Sequence, residues 1–163
     1  MFETLFTRYP FFRYIPAILG MALIFRMSAT PGTDLGSWIA PMDKVLHGLA
    51  YMFLALAFSL WAKPNLWEKK IWKAFLIGCF LPVLYGVSDE FHQTFVPGRD
   101  GGLPDFLADS VGALIGFLVY FFIMKFFYVN LSHYFSPALT DTFGTIPNKF
   151  NSIFSSRSSL DLI

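Results

Sequence analysis

The stretch SDEFHQTFVPGRDGGLPDFLAD, Ser88 to Asp109, decides how the rest of the chain is read. It sets Asp89, Glu90, Asp100, Asp105 and Asp109 beside His92 and Arg99, with apolar runs on both sides. At its centre Gly98, Gly101 and Gly102 permit turns with positive φ, while Pro97 and Pro104 stop the flanking helices. Asp105, one residue after Pro104, is suited to cap the helix that follows. So short a connection predicts two antiparallel neighbouring helices, with Arg99 folded back over Glu90 and Asp105.

Working outward, the surroundings belong in a membrane. Of 163 residues, 55% are hydrophobic, 20% aromatic and only 14% charged, a balance far from that of an ordinary soluble domain. Four apolar segments stand out, at about 5–27, 44–62, 71–93 and 105–128, and a spanning helix needs about 20 residues. The third reaches that length by continuing through Ser88, Asp89 and Glu90. The first is interrupted by Arg8, Arg13 and Arg26; Arg26 directly before Met27-Ser28-Ala29 argues against a cleaved leader, so a retained helix is expected. The fold class expected is therefore all-α: a transmembrane bundle of four helices over 1–128.

Charge distribution sets the expected orientation. With the first terminus inside, Arg8, Arg13, Lys63, Lys69, Lys70, Lys73, Lys125, Lys149 and Arg157 fall on the inner face, and only Arg26, Lys44 and Arg99 lie outside. That bias predicts a multi-pass protein of the inner (plasma) membrane with both termini cytoplasmic. Residues 129–163 turn to Ser, Thr, Asn and Pro and read as a cytoplasmic tail. Within it Phe143, Ile146, Phe150, Ile153 and Phe154 recur at helical spacing, so an interfacial amphipathic helix and a loose tail are both open. A net charge of +1 says nothing about partners by itself, so nucleic acid is not implied and none is expected. The single Cys79 has no partner in the chain and reads as packing. Trp61, Trp67 and Trp72 read as an inner aromatic belt, and Pro82 as a bend in the third helix.

The polar residues collect at the opposite, extracytoplasmic end. Asp43, His47 and Tyr51 follow i, i+4, i+8 and stack on one face of the second helix; Asp105, Asp109, Gly112 and Gly116 do the same on the fourth. Glu90 and Gln93 share a face of the third. A charge at the centre of a membrane helix costs about 2.5–3.5 kcal/mol on insertion scales, so such side chains turn inward or to water. Arg26, Asp43, Lys44, His47, Tyr51, Glu90, Gln93, Arg99, Asp105 and Asp109 are accordingly expected to line a polar pocket in the outer half of the bundle. Gly112 and Gly116 allow close helix approach, within the bundle or in a dimer; the oligomeric state is left open.

These residues carry a family pattern. Asp43-Lys44-x-x-His47-x-x-x-Tyr51, then Asp89-Glu90-x-x-Gln93-x-Phe95-x-Pro97-x-Arg99, then Asp105-x-x-x-Asp109-x-x-Gly112-x-x-x-Gly116 resembles the VanZ-like family, and Phe25-x-x-Ser28 with Pro31-Gly32 resembles its first-helix ending. The match runs from about Phe25 to Phe117. One departure is Asp109, where many members have Asn; it adds an acid to the pocket. The resemblance implies a small membrane protein of the bacterial cell envelope, in a family named for a protein associated with antibiotic resistance, to the glycopeptide teicoplanin.

Function belongs to a site rather than to a fold, and three classes share these residues. In an enzyme acting on a membrane lipid or lipid-linked envelope precursor, Arg26, Lys44 and Arg99 hold phosphate while Glu90, His47 or Asp105 moves a proton. A binder uses the same pocket, with Asp43, Tyr51, Gln93 and Asp109 as further contacts, and needs no nucleophile. A structural network only locks the bundle. No Ser-His-Asp or Cys-His arrangement is evident. His47, Glu90, His92, Asp105 and Asp109 have donor types suited to hard divalent ions, but Asp89-Glu90-Phe91-His92 lacks the paired-His spacing of a helical zinc motif. The sequence therefore assigns no metal ligand and names no cofactor.

Overall fold

The computed structural model describes residues 9–34, 42–99 and 101–134. The expected tail helix, and with it Arg8, Asp34's side chain, Asp100, Lys149 and Arg157, lie outside the described residues. The chain forms two compact units, Met1–Met124, which holds the bundle, and Lys125–Ile163, in which the described residues continue the last helix.

Every regular element among the described residues is helical. A 3-10 turn at Pro10–Arg13 leads into α1, Ile15–Ser28. A second 3-10 turn, Gly32–Asp34, precedes α2, Asp43–Ser59. The short α3, Pro64–Lys69, connects to α4, Ile71–Gln93, and α5 runs from Leu103 to Tyr134. Proline sits in the first turn of α1 and of α3, where its missing N–H has no intrahelical partner to lose. Three stretches are long and apolar enough to cross a membrane: Pro10–Ser28, Ile71–Gln93 and Leu103–Phe126. α2 has 17 residues and opens on Asp43-Lys44; at 1.5 Å per residue it is about 26 Å long, just under a typical hydrocarbon core. The architecture is the expected all-α bundle of four main helices. The last of them continues past Tyr128 to Tyr134.

Packing within Met1–Met124 combines small residues at close helix contacts with many large apolar side chains facing out. Ala17, Ala55, Ala74 and Ala113 are fully buried beside Tyr51, Leu54 and Phe58, while Leu19, Phe53 and Phe122 are more than 60% exposed. Lipid tails are as apolar as leucine, so large side chains face outward without penalty, and small ones let backbones approach. Gly112 and Gly116 carry this furthest. A Cβ on Gly112 would overlap the Gly48 carbonyl of α2, and one on Gly116 would overlap the Met52 carbonyl. The Gly-x-x-x-Gly face therefore closes the α2–α5 crossing inside the bundle.

One detail corrects the sequence reading and a second adds to it. Trp67 belongs to the core instead of an interfacial belt: it is buried, stacks with Phe117 at 5.6 Å between ring centroids, and donates its indole N–H to the Ala62 carbonyl at 3.3 Å. Trp72, 58% exposed, keeps the outward position. Pro82 is preceded by a π-helical turn, Leu76–Phe80. Proline has no N–H to return to the Gly78 carbonyl and its ring crowds that carbonyl, and a widened turn relieves both. Gly78 in that turn lies so close to Ser59 that a Cβ would meet the hydroxyl oxygen at 2.5 Å.

At one end of the bundle α1 and α4 finish and α2 and α5 begin. The loops there are clamped together. The Gly32 N–H donates to the Pro97 carbonyl at 3.0 Å, and Gly32 packs so tightly on Gly98 that a Cβ would overlap the Gly98 carbonyl. Gly98 itself has φ +72°, a conformation open to glycine at no steric cost.

Candidate functional site

Three groups of polar side chains occupy this clamped end. The first joins α1 to α4. Ser28 donates its hydroxyl to Asp89 Oδ2 at 2.9 Å, and the Gln93 amide donates to the same oxygen at 3.1 Å. All three residues are at most 5% exposed. Asp89 and Gln93 stand at i and i+4 on one face, which α1 covers.

The second group joins α2, α4 and α5. His47 Nδ1 lies 2.9 Å from Asp109 Oδ1 and 3.8 Å from Glu90 Oε1. Asp109 is fully buried and Glu90 is 8% exposed. Glu90 is held from its other side, because the Gly102 backbone N–H donates to Oε2 at 2.7 Å. The diglycine permits that approach: a Cβ on Gly101 would overlap the Glu90 carbonyl. The third group lies further out. Lys44 Nζ contacts Asp105 Oδ1 and stands 3.1 Å from Asp43 Oδ2, while Asp43 Oδ1 faces His47 Nε2 at 3.9 Å.

The structure thus brings Asp43, Lys44, His47, Glu90, Asp105 and Asp109 together, with Tyr51 and Gln93 buried in the same half of the bundle. It does not bring the two arginines. Arg26 points outward, exposed, and makes no ion pair among the described residues. Arg99 turns away from Glu90 and Asp105: its guanidinium donates to the Thr30 carbonyl at 3.3 Å and the Met27 carbonyl at 3.0 Å. The carbonyls at and just after the C-terminal end of α1 carry the negative end of its dipole, so they hold the cation, the Met27 carbonyl sharing it with the Thr30 N–H. Lys44 is left as the cation within contact of the acids among the described residues. Ser28, Asp89 and the Gly102 N–H had no assigned role in the sequence reading; the i, i+4 spacing of Asp89 and Gln93 is the signal that points to them. His92 stacks its ring against Phe25 at 4.7 Å.

Several buried oxygens in these groups have no hydrogen-bond partner among the described residues: Asp89 Oδ1, Glu90 Oε1, Asp109 Oδ2 and the Tyr51 hydroxyl. Each such group costs about 1–3 kcal/mol, and native folds tolerate few of them. Beside the cluster a groove of about 440 Å³ runs between α4 and α5, lined by Val87, Phe91, Leu103 and Phe106 with Glu90, Thr94 and the diglycine. Glu90 is the side chain common to groove and cluster.

The order of these residues along four packed helices agrees with one family pattern. The model of VanZ/LLP1 matches residues 6–125. The chain belongs to the VanZ/LLP1 family. That match spans α1, α2, α3, α4 and most of the apolar part of α5, so every residue of the three polar groups lies within the VanZ/LLP1 region. No curated protein and no solved structure matches the chain. With the family and three helices long and apolar enough to cross a membrane, it is a membrane protein.

Proposed function

We propose that this VanZ/LLP1 protein receives the headgroup of a membrane amphiphile, a lipid or a lipid-linked envelope precursor, at the His47–Glu90–Asp109 cluster, with the acyl chain in the groove between α4 and α5. One observation carries this reading: the groove is lined by exposed apolar side chains, and its buried acid, Glu90, belongs to the cluster. An open apolar groove with one carboxyl group in its lining matches a molecule with one greasy and one polar end. His47, bonded to Asp109 at 2.9 Å, has the arrangement of an oriented proton acceptor, so the site has groups for moving a headgroup proton as well as for binding. The polar end lies on the outer side of a bacterial inner membrane, both termini are cytoplasmic, and glycopeptide susceptibility follows if the amphiphile is a cell-wall precursor.

Lipids extracted from cells that carry the native protein, Glu90→Gln, or no protein test this directly. A chemical species that changes only with the native protein supports modification. Matching profiles, with a lipid co-purifying with the native protein and lost from Glu90→Gln, support binding alone. Equal co-purification from both proteins overturns the reading, and a Glu90→Gln protein that is merely scarce, with no lipid on the native protein, favours a structural network. Leu103→Trp provides a second route. Leu103 is 68% exposed at the groove, so the larger ring is expected to leave abundance unchanged while reducing lipid co-purification about tenfold, the effect of roughly 1.4 kcal/mol.

Orientation has its own test. In a Cys79→Ala background, Phe95→Cys lies at the clamped end, where Phe95 is 71% exposed, and Lys69→Cys lies in the exposed part of α3. Phe95→Cys is expected to react with an impermeant thiol reagent on intact spheroplasts, and Lys69→Cys only after permeabilisation; the opposite pattern inverts the topology.

A further inference from the structure

We infer that His47, Glu90 and Asp109 form a site for a single divalent transition-metal cation. The donor atoms of these three residues lie within 4.8 Å of one another. With metal–ligand bonds of about 2.0–2.3 Å, the ligands of one ion stand about 3 to 4.5 Å apart, and the pairs measured here, 2.9 Å and 3.8 Å from His47 Nδ1, fall close to that range.

The second observation is independent of the spacing. Glu90 Oε1 and Asp109 Oδ2 are buried, without a hydrogen-bond partner among the described residues, on residues 92% or more buried. Two carboxylates, one half-buried imidazole and two unsatisfied oxygens make a poor resting place for nothing but protein. A divalent cation supplies the missing positive charge and the missing partner together. The neighbouring set Asp43, His47 and Asp105 also has close donors, but Lys44 already stands between Asp43 and Asp105. The ammonium occupies the space between the outer carboxylates and offsets one of their two charges, which leaves the inner set as the better place for the ion.

The surroundings are built as a metal site's surroundings are. The Gly102 N–H fixes Glu90 Oε2 and so aims Oε1 at His47. Asp43 Oδ1 lies 3.9 Å from His47 Nε2, on the far side of the ring from the Nδ1 that faces Asp109 and Glu90, so it is placed to orient the imidazole when Nδ1 exchanges its hydrogen bond to Asp109 for the ion. One imidazole with carboxylates suits Mn²⁺ or Zn²⁺ better than a thiophilic ion. Three protein ligands leave positions open towards the groove that Glu90 shares. Through them the ion admits an anionic phosphate headgroup to a site that is otherwise acidic; that consequence rests on the headgroup reading, whereas the cation site does not.

The test uses Mn²⁺ alone on the full chain in nanodiscs of zwitterionic lipid, read by the loss of the free-ion electron paramagnetic resonance signal. One saturable equivalent per chain is expected. Glu90→Gln and Asp109→Asn are each expected to weaken binding about 100-fold, and Asp43→Asn about tenfold, while Ser28→Ala leaves it unchanged. Mn²⁺ is expected to raise the thermal midpoint of the native protein and of Ser28→Ala but not of Asp109→Asn, which is near-isosteric and serves if Glu90→Gln does not fold. Absence of saturable binding to the native protein, or an unchanged Kd in Asp109→Asn, overturns the inference. A lipid that still co-purifies through Glu90 in that event leaves the headgroup reading standing.

Discussion

Gly112→Ala is expected to lower the stability of the bundle by about 3 kcal/mol, the upper part of the range for overpacking a tight interior. The added Cβ would overlap the carbonyl oxygen of Gly48 and approach its carbonyl carbon at 2.8 Å and its Cα at 2.9 Å. Those atoms are helix backbone, so no side-chain rotation relieves the contact; α2 and α5 have to separate. Separation also moves His47, one residue before Gly48, away from Asp109, three before Gly112. The variant is therefore expected to lose both denaturant resistance in mixed micelles and whatever the cluster binds. Gly48→Ala provides the comparison. Its Cβ meets only the Ala108 carbonyl, at an ordinary 3.5 Å, and a change within about 0.5 kcal/mol is expected. Equal stability of the two variants would show that the crossing is not limited by the Gly112 contact.

His47→Ala is expected to cost about 3 kcal/mol, because it strands the buried Asp109 carboxyl without its hydrogen-bond partner. Asp109 is fully buried and its hydrogen bond among the described residues is to His47; with the imidazole gone, both carboxylate oxygens lack a partner. The double variant His47→Ala/Asp109→Asn is expected to recover much of the loss, because the amide carries no charge to strand. A double-mutant cycle on unfolding midpoints measures the coupling, expected at about 2 kcal/mol. A mild His47→Ala phenotype with no recovery in the double variant would mean that Asp109 is neutral or otherwise satisfied.

What the sequence allowed and what it hid divide along a physical line. That Asp43, His47, Glu90, Asp105 and Asp109 meet was readable from two facts, the cost of charge among acyl chains and helical spacing, which fixes the face a residue occupies. Which groups pair was not, because spacing along one helix says nothing of the rotation of its neighbour. Spacing puts Gln93 on a face with Glu90, but does not show that its amide donates to Asp89, on the side of α4 that α1 and Ser28 cover. Spacing alone puts Arg99 over the acids, whereas its guanidinium goes to the Thr30 and Met27 carbonyls at the end of α1, where the helix dipole favours a cation. Trp67 looked interfacial because it sits in a short basic connector; only the tertiary fold shows Phe117 and Tyr120 against it. The groove had no sequence signal, as its apolar lining is indistinguishable in composition from any lipid-facing surface.

The widened turn at Leu76–Phe80 has a consequence for inheritance. Buried positions on α4 recur in steps of four at Ala74, Gly78, Pro82 and Gly86. In a uniform α-helix each such step drifts by about 40°, and the looser winding of the π segment recovers part of that drift. The azimuth at which Asp89 and Glu90 emerge is thus set about ten residues upstream, by chain length as well as by composition. A lineage that dropped one residue there would keep every acid in its text and yet rotate them off target, so gaps in this segment would weigh more heavily on the family's history than most substitutions in it.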